Sequence, residues 1–119
     1  MRRIVVTGTD TGVGKTVATA ALAQAFLLAG HSVRVIKPVQ TGADPGEPGD
    51  ADEVNRLVGQ DVAEEWQRLT LPLAPETIAH QTGDSLLSVN DLVKRLVPLD
   101  EDVVIVEGAG GVLVRLDTD

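Results

Sequence analysis

The stretch VVTGTDTGVGKT, residues 5–16, constrains this chain more than any other. A β-branched run ends at Val6, small turn-forming residues follow, and the run closes on Gly14-Lys15-Thr16 before the composition turns helical. Gly8, five residues, then Gly-Lys-Thr is a phosphate-binding loop one residue longer than the usual G-x-x-x-x-G-K-[ST] spacing. Glycines let successive backbone N–H groups turn inward around an anion with no Cβ in the way. The N-terminus of the following helix adds free donors and a partial positive charge at the same place. In such a loop Lys15 reaches the β- and γ-phosphates, and the Thr16 hydroxyl ligates Mg²⁺. A glycine turn joining a strand to a helix is the plain alternative, but it does not call for Lys-Thr at that position.

The rest of the chain fits a parallel α/β domain. RRIVVTG reads as a short buried strand. Residues 14–29 read as a helix, with Val17, Ala21, Leu22, Ala25 and Leu28 at helical spacing and Gly30 as its stop. HSVRVIKPV, residues 31–39, alternates and ends at Pro38, a second strand. Strand, helix and strand within about 35 residues form a βαβ unit, so a right-handed crossover and a parallel pair are expected. TGADPGEPGDAD, residues 41–52, reads as a mobile loop, and ADEVNRLVG as a short helix ending at Gly59. LPLAPETIAHQTG holds a helical turn after Pro75, and SVNDLVKRLVP a helix capped by Ser88 with Asp91 three residues on. Val103 to Val106 is a third buried strand before a second glycine turn, and VLVRLDTD a further strand. Trp66 reads as a satellite core residue.

Composition bounds the function. At 119 residues, with 43% hydrophobic and 24% charged residues, the chain is one soluble globular domain, residues 1–119. A net charge of −8 offers no general basic face to nucleic acid or an anionic membrane. The absence of cysteine excludes disulfides, thiolate metal sites and cysteine nucleophiles. The apolar run in MRRIVV is too short for a signal peptide, and no stretch approaches the roughly 20 residues that span a membrane. A cytoplasmic protein is expected.

Three further positions matter beside a nucleotide. Glu107 ends the run VVIVE, so its carboxylate emerges at the carboxyl edge of a parallel strand, where doubly wound sheets bind ligands. It can hold Mg²⁺ directly or through water, or be a solvated strand-end acid. Asp50 and Asp52 follow a glycine-rich loop and either supply another oxygen ligand or are simply solvated. Lys37 ends the second strand, as a surface charge or as a cation neutralising a transferring phosphoryl group.

VTGTDTGVGKT, KPVQTG at 37–42 and VEGAGG at 106–111, in this order and spacing, resemble the dethiobiotin synthetases of biotin biosynthesis. The resemblance implies a three-layer α/β/α P-loop NTPase-like domain with a mostly parallel sheet. Members of that family are considerably longer, so this chain corresponds to the N-terminal half of their fold. The implied activity is an ATP-dependent cyclo-ligase reaction. It closes the ureido ring of dethiobiotin from 7,8-diaminopelargonate and CO₂ or bicarbonate, through a carbamate and a carbamic-phosphoric anhydride, giving ADP and phosphate.

Carried onto this sequence, the family pattern assigns nucleotide binding to Gly8, Thr9, Asp10, Thr11, Gly12, Val13, Gly14, Lys15, Thr16, Val17 and Asp50. It puts Thr11, Lys15 and Lys37 at the reacting end, and Thr16, Asp50 and Glu107 on Mg²⁺, with Asp52 the alternative to Asp50. Lys37, Thr41, Gly108, Ala109, Gly110 and Gly111 face the substrate. A homodimer is implied for the complete protein. Two other readings share the loop: a partition-type ATPase switch, which carries an extra lysine where this chain has Asp10, and a nucleotide-binding fragment without catalysis.

Overall fold

The computed structural model describes residues 2–8, 14–70 and 87–109, which form one four-stranded sheet with three helices. In chain order the elements are β1 (Arg2–Val6), α1 (Lys15–Leu28), β2 (Val33–Thr41), α2 (Asp50–Val58), β3 (Ala63–Leu69), α3 (Val89–Leu96) and β4 (Val103–Glu107). The strand order is β1-β4-β2-β3 and every pairing is parallel. The fold is therefore the expected α/β class. The helical turn after Pro75 and the strand expected in VLVRLDTD lie outside the described residues.

β1 and β2 do not pair with each other, contrary to the βαβ expectation. β4 inserts between them, with Val5 opposite Val106 on one side and Ile36 opposite Val106 on the other. The physical reason is in the strand itself: Val103, Val104 and Ile105 are fully buried, so a strand apolar on both faces takes an interior place.

Strand alternation sorts the two faces. Val33 and Val35 of β2 and Val103 and Ile105 of β4 pack with Ala20, Ala23, Ala51 and Val54 of α1 and α2. Full burial of a side chain such as Val54 or Ile105 contributes roughly 1.5–3 kcal/mol. On the opposite face α3 runs beside Arg3, Val5 and Val106, and the Arg95 guanidinium lies 5.4 Å from the centre of the Trp66 ring. α3 begins as its sequence predicts, with the Ser88 hydroxyl accepting from the Asp91 N–H at 3.1 Å.

Three helix and strand details correct the sequence reading. β1 is not the buried strand its β-branched run suggests: Arg2, Arg3 and Val5 are exposed and Ile4 and Val6 half-buried. α1 buries Lys15, Thr19, Ala20 and Ala23, while the stripe expected to be its core face is exposed: Val17, Leu22 and Leu28 are 65%, 37% and 78% accessible. Small side chains let the helix approach the sheet closely, so the bulky stripe faces away. Pro38 does not end β2, which continues to Thr41. Beyond Ile36 the β2–β4 pairing stops, so the N–H that proline lacks is not needed on that side.

β3, AEEWQRL, is an additional strand that its polar composition conceals; it lines the sheet edge beside β2 with most of its residues half-buried, Trp66 among them.

Candidate functional site

Alternation carries chemistry to one edge of the sheet. The positions that supply Val33 and Val35 to the core next supply Lys37, and those that supply Val103 and Ile105 next supply Glu107. Two charged groups are thereby placed side by side where β4 ends, on the face that α1 and α2 cover, with Lys37 mid-way along β2 rather than at its end. Lys37 is 4% accessible and Glu107 1%. α1 starts at the same edge: Gly14 precedes it with φ of 100°, a left-handed conformation, and a Cβ there would meet nothing within 4 Å. Glycine is needed at that position for its backbone angle rather than for space.

The side chains converge. The Thr16 hydroxyl donates to Glu107 Oε1 at 2.8 Å. Lys37 Nζ lies 3.5 Å from the same carboxylate oxygen, 2.5 Å from Asp50 Oδ2, and donates to the Gly108 carbonyl at 3.2 Å. Asp50 is the first residue of α2, where the helix dipole favours a carboxylate. Asp52, the alternative at this point, is turned elsewhere: its Oδ2 accepts from the Gly49 N–H at 2.8 Å, capping the helix from its third position.

Around these groups lies a cavity of about 410 Å³, within the range of small-ligand sites. Its lining combines Gly14, Lys15, Thr16 and Val17 from the start of α1, Lys37, Gln40 and Thr41 from β2, Asp50 from α2, and Glu107 and Ala109 from the end of β4. Lys15 is buried at the helix start, its carbonyl accepting from the Thr19 hydroxyl at 2.7 Å. The structure thus brings together Lys15, Thr16, Val17, Lys37, Thr41, Asp50, Glu107 and Ala109, with Gly14 at the loop end and Gly108 on the Lys37 ammonium. Gly8 follows β1. Thr9, Asp10, Thr11, Gly12, Val13, Gly110 and Gly111 lie outside the described residues.

Two carboxylates and a hydroxyl form a hard-oxygen donor set of the kind Mg²⁺ takes alongside phosphate oxygens and water. Among the described residues, no three acidic or imidazole side chains come together to hold a cation by themselves. A divalent ion here would therefore need a ligand such as phosphate to complete its shell.

Two features of the site were given no role by the sequence, although Gln40 lies within KPVQTG. Gln40 is buried, accepting from the Asp50 N–H at 2.8 Å and donating to the Thr41 carbonyl at 2.9 Å. The segment expected to be a mobile loop is tied down by Arg68, which donates to the carbonyls of Asp44 and Glu47 at 2.7 and 2.6 Å. Arg68 is in turn held by both oxygens of Glu65, whose hydrogen bond raises the guanidinium's already high pKa. The only hint in sequence is the i, i+3 spacing of Glu65 and Arg68, which is common on any surface.

A family profile described as "AAA domain" matches residues 2–119. The chain is 53% identical over 121 residues to a protein of Rhodococcus jostii RHA1 named ATP-dependent dethiobiotin synthetase, covering all of this chain and 52% of the relative. It is 49% identical to a Streptomyces avermitilis protein of the same name, covering 98% of this chain and 50% of that one. A Rhodococcus erythropolis PR4 protein, again so named, is also 49% identical, covering all of this chain and 54% of its own length. The chain spans about half the length of the curated relatives it matches. No helix among the described residues is long and apolar enough to cross a membrane.

Proposed function

The chain belongs to the AAA-domain family, and on that footing we propose that it works as an ATP-dependent cyclo-ligase of the dethiobiotin synthetase type. The observation that carries the reading is the meeting of Lys15, Thr16, Lys37, Asp50 and Glu107 around one cavity at the carboxyl edge of the sheet.

In this reading the backbone N–H groups at the start of α1 and the Lys15 ammonium hold the triphosphate of ATP. Thr16, Asp50 and Glu107 hold Mg²⁺, which when bound offsets phosphate charge and orients the γ-phosphoryl group. One amine of 7,8-diaminopelargonate attacks CO₂ and loses a proton, giving a carbamate. A carbamate oxygen attacks the γ-phosphorus, the bond to the bridging oxygen breaks, and ADP leaves. The second amine then attacks the carbonyl carbon of the mixed anhydride, loses a proton, and expels phosphate as the ureido ring closes.

Lys37 and Thr41 adjoin the carbamate and the transferring phosphoryl group, and Gly108 to Gly111 allow close approach of the diamine. Thr11 is assigned to the reacting end of the loop. Such chemistry asks the protein for positioning and charge neutralisation rather than covalent help. The protein is a cytoplasmic biosynthetic enzyme that acts as a homodimer and binds neither nucleic acid nor membrane.

The experiment is to supply the longest product of the gene with Mg·ATP, the diamine and ¹³C-bicarbonate. The expected outcome is one ¹³C per dethiobiotin, in the ureido carbonyl. A product without label, or ADP formed with no ring closure, would remove the carbamate route.

A further inference from the structure

Gln40 belongs to none of the roles above, yet it is the polar side chain that joins the two pieces of backbone carrying Thr41 and Asp50. It is 8% accessible. Its Oε1 accepts from the Asp50 N–H at 2.8 Å and its Nε2 donates to the Thr41 carbonyl at 2.9 Å. The packing beside it is close. A Cβ on Gly49, the residue before Asp50, would lie 3.0 Å from Gln40 Oε1, 2.9 Å from Glu65 Oε1 and 2.8 Å from Arg68 Nη2, so the ends of those side chains would have to shift to admit one.

The Asp50 side chain is 36% accessible, and its backbone N–H is held by Gln40. With the N–H locked on Gln40, the carboxylate falls 2.5 Å from Lys37 Nζ.

We propose that Gln40 is a positioning residue: its amide fixes the first residue of α2 so that Asp50 shields Lys37 and stays within reach of a divalent cation shared with Thr16 and Glu107. The ligand part of this statement rests on the proposed role of Asp50, whereas the shielding of Lys37 does not. Partners that orient metal ligands change metal affinity by roughly 10- to 100-fold when removed.

The test compares wild type, Gln40→Leu and Gln40→Glu in the longest product of the gene, with two readouts. One is the rate at which acetic anhydride labels Lys37, followed by mass spectrometry. The other is Mn²⁺ binding in the presence of ADP, followed by electron paramagnetic resonance. Gln40→Leu loses both hydrogen bonds, so Lys37 labels about tenfold faster and Mn²⁺ binds about tenfold more weakly. Gln40→Glu keeps the acceptor for the Asp50 N–H but loses the donor to the Thr41 carbonyl, so Lys37 should label more slowly than in Gln40→Leu.

A folded Gln40→Leu protein with wild-type labelling and wild-type Mn²⁺ affinity overturns the proposal. If wild type binds no Mn²⁺ with ADP but Lys37 labelling responds as stated, the positioning role stands and Asp50 is no metal ligand. Should Gln40→Leu fail to fold, Gln40→Asn reads the same contact, because its amide, one methylene shorter, falls short of the Asp50 N–H and the Thr41 carbonyl. Unchanged Lys37 labelling and Mn²⁺ affinity in that variant overturn the proposal equally.

Discussion

Replacing Lys37 by methionine removes the one ammonium that neutralises two carboxylates while keeping most of the side chain's volume. Glu107 is 1% accessible, and its remaining partner would be the Thr16 hydroxyl at 2.8 Å. Breaking a buried ion pair by deleting one partner costs about 3–5 kcal/mol, because a charge stays buried without compensation. Two facts move this case to the low end. Asp50 is 36% accessible, so water screens much of its loss, and Glu107 keeps one charge-assisted hydrogen bond. A destabilisation of about 3 kcal/mol is therefore expected.

Urea unfolding followed by the fluorescence of Trp66, the one tryptophan, reads it as a shift in midpoint at constant slope. The companion Lys37→Met/Glu107→Gln protein has no fully buried charge left unpaired, since glutamine still accepts from Thr16 and only the partly accessible Asp50 loses its cation. It should recover most of the loss, and Mn²⁺ with ADP should stabilise the single variant more than wild type. A Lys37→Met protein within about 0.5 kcal/mol of wild type, or a double variant no better than the single, would refute the buried-pair reasoning.

Other expectations follow from single contacts. Gly14→Ala forces a Cβ into a left-handed backbone and should cost about 1–2 kcal/mol in urea unfolding while weakening nucleotide binding. Ser88→Ala removes the cap of α3 and should cost about 1 kcal/mol. The Ser32 N–H donates to Asp102 and holds its carboxyl below the ordinary value of about 3.8. A depressed carboxyl contributes stability that is present above that ordinary value and is lost as pH falls through the lower, folded one. Asp102→Asn should accordingly be less stable than wild type at neutral pH and converge on it as pH falls below about 4, giving a flatter acid limb of the stability–pH profile.

Where a residue's position follows from chain-local geometry, it could be read in advance. The period of two that buries Val35 and Ile105 also fixes which face their neighbours two residues on, Lys37 and Glu107, present, although only Glu107 ends its strand. Ser88 as the start of α3 follows from its hydroxyl and the spacing to Asp91.

What depends on partners distant in sequence could not be read. The exposed stripe of α1 looks like a core face until the sheet favours the smaller side of Ala20 and Ala23. Pro38 reads as a strand end unless one knows that β4 stops pairing beside Ile36. β3 hides behind Glu64, Glu65 and Arg68 because an edge strand needs little apolar surface. The choice of Asp50 over Asp52 rests on which helix position each occupies, and Gln40 becomes visible only once its hydrogen bond to Asp50 is seen.

The proposed reaction joins a nucleotide at this edge to a diamine-derived carbamate. Phosphate release from Mg·ATP and bicarbonate, measured on the longest product of the gene with and without 7,8-diaminopelargonate, tests it most directly. Release is expected to depend on the diamine and to disappear in Lys15→Ala. Release at the same rate without the diamine, or full activity in Lys15→Ala, would contradict it.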